Sequence, residues 1–276
     1  MFSLTTKQLG KLLSIFCFSF LAQVGYAAPA AKVLTFWMDS DEASSTTISH
    51  DAWQDLLDKY LVRDSNGINR FKYGAIDADR KVLKRYIKTL EAIDPRQYNR
   101  NEQMAYWINL YNALTVDIVL DAYPVKSILK IGGSLFSPGP WNEKYLNISG
   151  QQLSLNDVEH RILRPIWKDS RIHYAVNCAS YSCPNLRAKV FTAKDIDNQL
   201  TESAKVYVNN PRGITVEGED LLLSKIFEWY QVDFGGNEKE LLKELAKYAE
   251  PALAKRLTKH DGDIDYEYNW DLNDAK

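Results

Sequence analysis

The sequence predicts an α+β fold, a mostly helical single domain carrying a small antiparallel or mixed sheet. Three observations point there. Apolar residues recur at helical spacing over several long segments, strand-like stretches are few and short, and the two kinds do not alternate as a doubly wound parallel sheet requires. In chain order, Trp53, Leu56, Leu57, Tyr60 and Leu61 share one helix face after a start at Ser49 or Asp51. Asp64-Ser65-Asn66-Gly67 is turn chemistry, so a short hairpin is expected within Arg63 to Ile76. Val82, Leu83, Tyr86, Ile87 and Leu90 mark a second helix, which Pro95 ends. Asn101 to Ala122 is apolar nearly all round, the signature of a central helix. Tyr145 to Ile148 and Gln152 to Leu155 read as a strand pair, and Ser154 to Arg164 as a short helix closed by Pro165. Ile172 to Val176 reads as a strand. Ile196, Leu200, Ala204, Tyr207 and Val208 form another amphipathic helix, Ile214 to Val216 and Leu221 to Leu223 a hairpin about Glu217-Gly218-Glu219, and Leu241, Leu242, Leu245 and Tyr248 a late helix.

Residues 1–28 have the three-part layout of a secretory signal peptide: Lys7 and Lys11 without an acidic residue, an apolar run from Leu12 to Val24, then Gly25-Tyr26-Ala27-Ala28 with small residues before the cut. Cleavage is expected near Ala27 or Ala28, leaving 29–276 as the mature domain in the periplasm or outside the cell. The apolar run is shorter than the roughly 20 residues that span a bilayer, so no stable membrane insertion is expected. The chain carries a formal net charge of −2, and losing the two leader lysines makes it −4. With no basic run, nothing directs it to nucleic acid. No cofactor is called for, and the partner expected is a small-molecule or peptide-like ligand.

The chemistry-bearing residues are scarce. There are three cysteines and four histidines, and Cys17 lies in the leader. Cys178 and Cys183 are therefore the mature thiols, with His160 and His173 upstream. A thiol nucleophile needs a base to become a thiolate, and a histidine oriented by an amide or carboxylate is the usual one. Strand alternation across Ile172 to Val176 would put His173 and Cys178 on opposite faces, which raises His160 or a loop-borne Cys183 as partners. In an oxidising compartment the same two cysteines can instead close a disulfide. The four-residue gap between them differs from the two-residue gap of thioredoxin-like redox centres. His160, His173, Cys178 and Cys183 together number a tetrahedral zinc set, but they lack the close ligand pairs of zinc motifs, and no metal is expected.

The central helix adds a polar stripe. Glu102, Asn109 and Asn112 fall along one line, and buried carboxamides cost on the order of 1–3 kcal/mol each unless they are hydrogen-bonded. They either tie loops to the core or line a cleft, and Glu102 also fits a capping box begun at Asn99. At about 100° per residue, His160 points away from the apolar face of Leu155, Val158 and Ile162, which makes it either a solvated residue or one facing the cysteine loop.

These blocks carry a resemblance. Asn101-Glu102-Gln103-Met104-Ala105-Tyr106-Trp107-Ile108-Asn109-Leu110-Tyr111-Asn112-Ala113 resembles the hallmark block of the domain-of-unknown-function family 547, with tyrosine at 106 where phenylalanine is expected. Leu155 to Arg164, His173 to Pro184, Ser224 to Tyr230 with Asp233-Phe234, and Tyr268 to Asn273 extend the likeness over about 51–273. The resemblance implies no activity. It picks out Glu102, Asn109, Asn112, His160, His173, Cys178 and Cys183, the residues already singled out on chemical grounds. The function expected is an exported Cys/His thiol-dependent hydrolase or acyl-transfer enzyme acting on an amide, ester or peptide-like bond. The alternative is a disulfide-stapled, non-catalytic binding or scaffold module.

Overall fold

The computed structural model describes residues 29–134 and 137–275, so the leader read at 1–28 lies outside the described residues. Helix α1 (Asp51–Tyr60) buries Trp53, Leu56, Leu57 and Tyr60, the face its spacing predicts. It runs directly into an antiparallel pair, β1 (Leu61–Arg63) and β2 (Asn69–Phe71). Asp64 closes that turn by accepting from the Asn66 and Ile68 amides at 2.9 and 3.0 Å. Helix α2 (Arg80–Glu91) packs Leu83, Tyr86, Ile87 and Leu90 against α3 (Arg100–Ala122), which is buried on all sides. Asn99 caps α3 by accepting from the Glu102 amide at 3.0 Å. Only that half of the expected capping box forms, because the Glu102 carboxylate turns away to accept from the Ile48 amide at 2.8 Å.

Two small ribbons follow, β3 (Gly133–Ser134) with β4 (Ser137–Pro138) and β5 (Leu146–Ile148) with β6 (Gln151–Leu153). The next two elements correct the sequence reading. Asp157–Leu163 is a π-helix leading into α4 (Arg164–Trp167), not an ordinary helix. The wider turn breaks the 100° spacing and draws adjacent Glu159 and His160 both inward. His160 is only 3% exposed and not solvated. The expected strand at Ile172 to Val176 is instead a 3₁₀ turn over Ser170–Tyr174. Asp169 accepts from the Arg171 amide, and the Ala175 and Val176 amides both return to the Ile172 carbonyl. A run this short carries no periodicity able to outvote a local cap.

Helix α5 (Ile196–Val208) precedes β7 (Ile214–Glu217), β8 (Asp220–Ser224), α6 (Lys225–Trp229), a 3₁₀ turn at Gln231–Phe234, α7 (Glu238–Ala246), α8 (Pro251–Thr258) and β9 (Ile264–Glu267). The sheet order is β7-β8-β9, antiparallel then parallel, so the three-stranded sheet is mixed. The result is the mostly helical α+β architecture expected. One apolar cluster surrounds α3, and a smaller one joins Tyr174 to α5, β7, β8, α6 and α7. The C-terminal segment then runs back between β2 and the loop that carries Cys178 and Cys183. The Asn273 carbonyl accepts from Phe71 of β2, and the Asn273 amide donates to the Ala179 carbonyl of the cysteine loop. Among the described residues no helix is long and apolar enough to cross a membrane.

Candidate functional site

The cysteine loop is fixed from several directions. Asn177 accepts from the Ala179 amide and donates to the Pro184 carbonyl at 2.7 Å, so its side chain spans the base of the loop. Ala179 sits at φ 58°, a left-handed conformation that turns the chain sharply just after Cys178. Arg212 donates to the Tyr181 and Cys183 carbonyls, Tyr207 to the Ser182 carbonyl, and the C-terminal segment pairs with Tyr181 and Ser182. This bracing brings the two sulfurs to 2.9 Å as free thiols, with Cys178 half-buried and Cys183 buried.

Around the Cys178 sulfur stand Ser180 Oγ and Tyr268 Oη, each at 3.2 Å, and these two hydroxyls lie 2.7 Å from each other. Burial pushes the Cys178 thiol up, but hydrogen bonds from Cys183, Ser180 and Tyr268 outweigh it and bring the group down to about 7. Burial, followed by the neighbouring Cys178 sulfur, pushes Cys183 well above the ordinary thiol range. Burial also raises Tyr268, and the two sulfurs add to the effect, so its hydroxyl keeps its proton and donates. Of the two thiols, Cys178 is therefore the one that ionises first, beside hydroxyls that stay neutral.

The histidines belong to a second, adjoining cluster. His173 Nε2 lies 2.7 Å from Asp233 Oδ2, its Nδ1 lies 3.7 Å from Glu159 Oε1, and its ring stacks on Tyr230 at 3.9 Å. Arg164 Nε donates to the same Asp233 oxygen at 2.6 Å, and its Nη1 lies 3.1 Å from His160 Nδ1. A guanidinium has only donors, so His160 Nδ1 is the acceptor there. Burial, reinforced by Arg164, holds His160 below the ordinary histidine range. Burial pushes the Glu159 carboxyl up, yet the two histidines and a Tyr230 hydrogen bond prevail and set it at about 2. Tyr111 donates to Glu159 at 3.1 Å. No hydrogen bond joins either histidine to either sulfur among the described residues. Nor is any group of three or more His, Cys, Asp or Glu side chains among them arranged to hold a metal ion.

The polar stripe of α3 consists of ties. Asn109 exchanges two hydrogen bonds with the Phe191 backbone, at 2.8 and 3.0 Å. Asn112 donates to the Ala175 carbonyl at 2.9 Å and accepts from the Asn177 amide at 2.8 Å, so α3 and the cysteine loop do meet, through this one carboxamide. Glu102 is tied to Ile48, remote from the sulfurs in its bonding. Both ends of each carboxamide are used on backbone, which explains why α3 buries them without penalty.

Residues 95–208 match the family model described as "Protein of unknown function, DUF547". The chain carries a DUF547 domain. The DUF547 match takes in α3, the π-helix, the 3₁₀ turn, the cysteine loop and α5, while Tyr230, Asp233 and Tyr268 lie beyond it. No curated protein and no solved structure matches the chain. The residues that sequence reasoning missed are largely those contributed from outside the DUF547 match. Tyr268 reaches Cys178 across 90 positions and Asp233 reaches His173 across 60. Nothing in a single sequence signals such pairings. Ser180 was within reach of the reading, being a hydroxyl two residues from a cysteine in a sharp turn.

Proposed function

We propose that the protein is an exported thiol enzyme in which Cys178 attacks the carbonyl of an amide, ester or peptide-like bond, leading to hydrolysis or acyl transfer. The observation that carries this reading is the half-buried Cys178 sulfur held by Ser180, Tyr268 and Cys183, with its pKa brought to about 7. Near neutral pH about half of such a thiol is nucleophile without a histidine to deprotonate it. The base role expected of His160 or His173 passes to this local hydrogen bonding. The Cys178 amide is engaged by Cys183 Sγ and the Ala179 amide by Asn177, which leaves the Ser180 and Tyr268 hydroxyls as the donors beside the reacting carbon. Tyr268 also supplies the proton for the leaving group. Asn112 and Asn177 are positioning residues that set the loop, and the histidine cluster supports it from behind. Export rests on the leader composition alone.

The test is a panel of p-nitrophenyl esters and p-nitroanilides followed by mass spectrometry of the trapped acyl-enzyme. The expected adduct is on Cys178, with turnover lost in Cys178→Ala. Turnover that survives alanine at both Cys178 and Cys183 refutes the reading. The sulfur contact at 2.9 Å favours a second reading, a disulfide-stapled non-catalytic module. Thiol counting on folded and denatured protein separates the two.

A further inference from the structure

Sequence spacing alone argues against redox chemistry, since four residues separate the cysteines. The fold cancels that objection. The left-handed turn at Ala179 and the Arg212 clamp on the Tyr181 and Cys183 carbonyls fold the loop so that Cys183 Sγ meets Cys178 Sγ at 2.9 Å. The two sulfurs are also unequal. Cys178 is half-buried and within reach of a reactant, whereas Cys183 is buried, at 3% exposed. The Cys178 amide points at Cys183 Sγ at 3.0 Å, a donor placed to stabilise negative charge on the inner sulfur. An outer attacking thiol backed by an inner thiol in contact with it is what intramolecular resolution of a mixed disulfide requires.

We propose that Cys178 and Cys183 form a thiol–disulfide exchange couple, with Cys178 as the attacking sulfur, Cys183 as the resolving sulfur, and a small-molecule or protein disulfide as the oxidising substrate. The Cys178 thiolate attacks one sulfur of the substrate; that sulfur–sulfur bond breaks, and the first substrate thiolate leaves and takes a proton from water. Cys183 then gives up its proton to water and attacks Cys178 Sγ. The mixed disulfide breaks, and the second substrate thiolate leaves and is protonated in turn. The protein dithiol is oxidised by two electrons to the Cys178–Cys183 disulfide, and the substrate disulfide is reduced to two thiols. A substrate dithiol runs the sequence in reverse. The activity shares the Cys178 nucleophile with the acyl-transfer reading, in which Cys183 serves only as a neighbour that holds that sulfur.

The probe is oxidised glutathione, added to full-length mature protein that has been reduced and freed of reductant. Wild type is expected to release two glutathione thiols per chain and to end as an internal disulfide with no glutathione attached. Cys183→Ser is expected to release one thiol and stop as a stable glutathione adduct on Cys178, and Cys178→Ser to lose the reaction. Cys183→Ala, with near-ultraviolet circular dichroism of both Cys183 variants, guards against misfolding as the cause. Three results overturn the proposal: wild type that stops at the adduct, a Cys183 variant that still releases two thiols, or a Cys178–Cys183 disulfide that resists reduction in the folded protein. Acyl-enzyme formation by wild type is read in parallel. Wild type that acylates but stops at the glutathione adduct overturns the exchange couple alone, and wild type that resolves the adduct but forms no acyl-enzyme overturns the acyl-transfer reading alone.

Discussion

Removing one hydroxyl tests the electrostatics of the site. Tyr268→Phe deletes the donor 3.2 Å from Cys178 Sγ while keeping the ring in its contacts with Trp229 and Trp270, at 4.9 and 4.6 Å between centroids. A hydrogen bond to a charged group contributes about 1.5–3 kcal/mol. At about 1.4 kcal/mol per pH unit, its loss moves the Cys178 midpoint from about 7 to between about 8 and 9. The thiolate fraction at pH 7 then falls from about one half to between about one tenth and one hundredth. The assay is the rate of iodoacetamide alkylation at Cys178 against pH, with mass spectrometry assigning the site. Ser180→Ala moves the midpoint the same way, and more weakly if Tyr268 swings to fill the gap, since the two hydroxyls are bonded to each other. A midpoint that stays at about 7 in Tyr268→Phe refutes the claim that this hydroxyl helps to hold the thiolate.

Three further outcomes follow from the same geometry. Glu159 sits at about 2 in the fold against an ordinary 4.5, so its stabilisation is complete above about pH 4.5 and is lost as the pH falls towards 2. On the order of 3 kcal/mol is involved over that acid range, and Glu159→Gln flattens the acid limb of a denaturation-midpoint titration. Asn112→Ala leaves the Ala175 carbonyl and Asn177 amide without partners, which costs about 2–5 kcal/mol in urea denaturation and slows Cys178 alkylation as the loop loosens. His160→Gln and His173→Gln leave the alkylation midpoint near 7, because neither ring is hydrogen-bonded to a sulfur; a rise of a full pH unit in either restores a Cys–His dyad.

Periodic elements were legible and chemically capped ones were not. The helices at Asp51–Tyr60, Arg80–Glu91, Arg100–Ala122 and Ile196–Val208 follow from apolar spacing, and Glu217-Gly218-Glu219 announces its hairpin. The π-helix hides because its apolar residues also fit an ordinary helix, and only the inward pairing of Glu159 with His160 betrays the extra residue per turn. The Ser170–Tyr174 turn hides because five residues are too few for a period, and the Asp169 cap decides the matter. In the site, Asn109 and Asn112 were visible as buried amides owing hydrogen bonds. Their creditors, the Phe191, Ala175 and Asn177 backbones, are set only by the fold. Tyr268 and Asp233 were invisible as partners for the same reason.

The separation of the histidines from the thiols has an electrostatic logic. Glu159 and the Cys178 thiolate are both anionic, and two tyrosines feel both charges. Burial raises Tyr111 and Tyr230 well above the ordinary range, and both Glu159 and Cys178 raise them further. Kept neutral, these hydroxyls donate to Glu159 and add no charge of their own between the anions. Arg164 pairs with Asp233 inside the histidine cluster, leaving the Cys178 sulfur to be stabilised by dipoles. A thiolate held by neutral hydroxyls has no imidazolium proton to collapse onto it, so its reactivity depends on how rigidly Ser180 and Tyr268 are presented. That presentation rests on the Asn177 base, the Arg212 clamp and the returning C-terminal segment, which is why the DUF547 segment requires residues far beyond Val208 to complete its site.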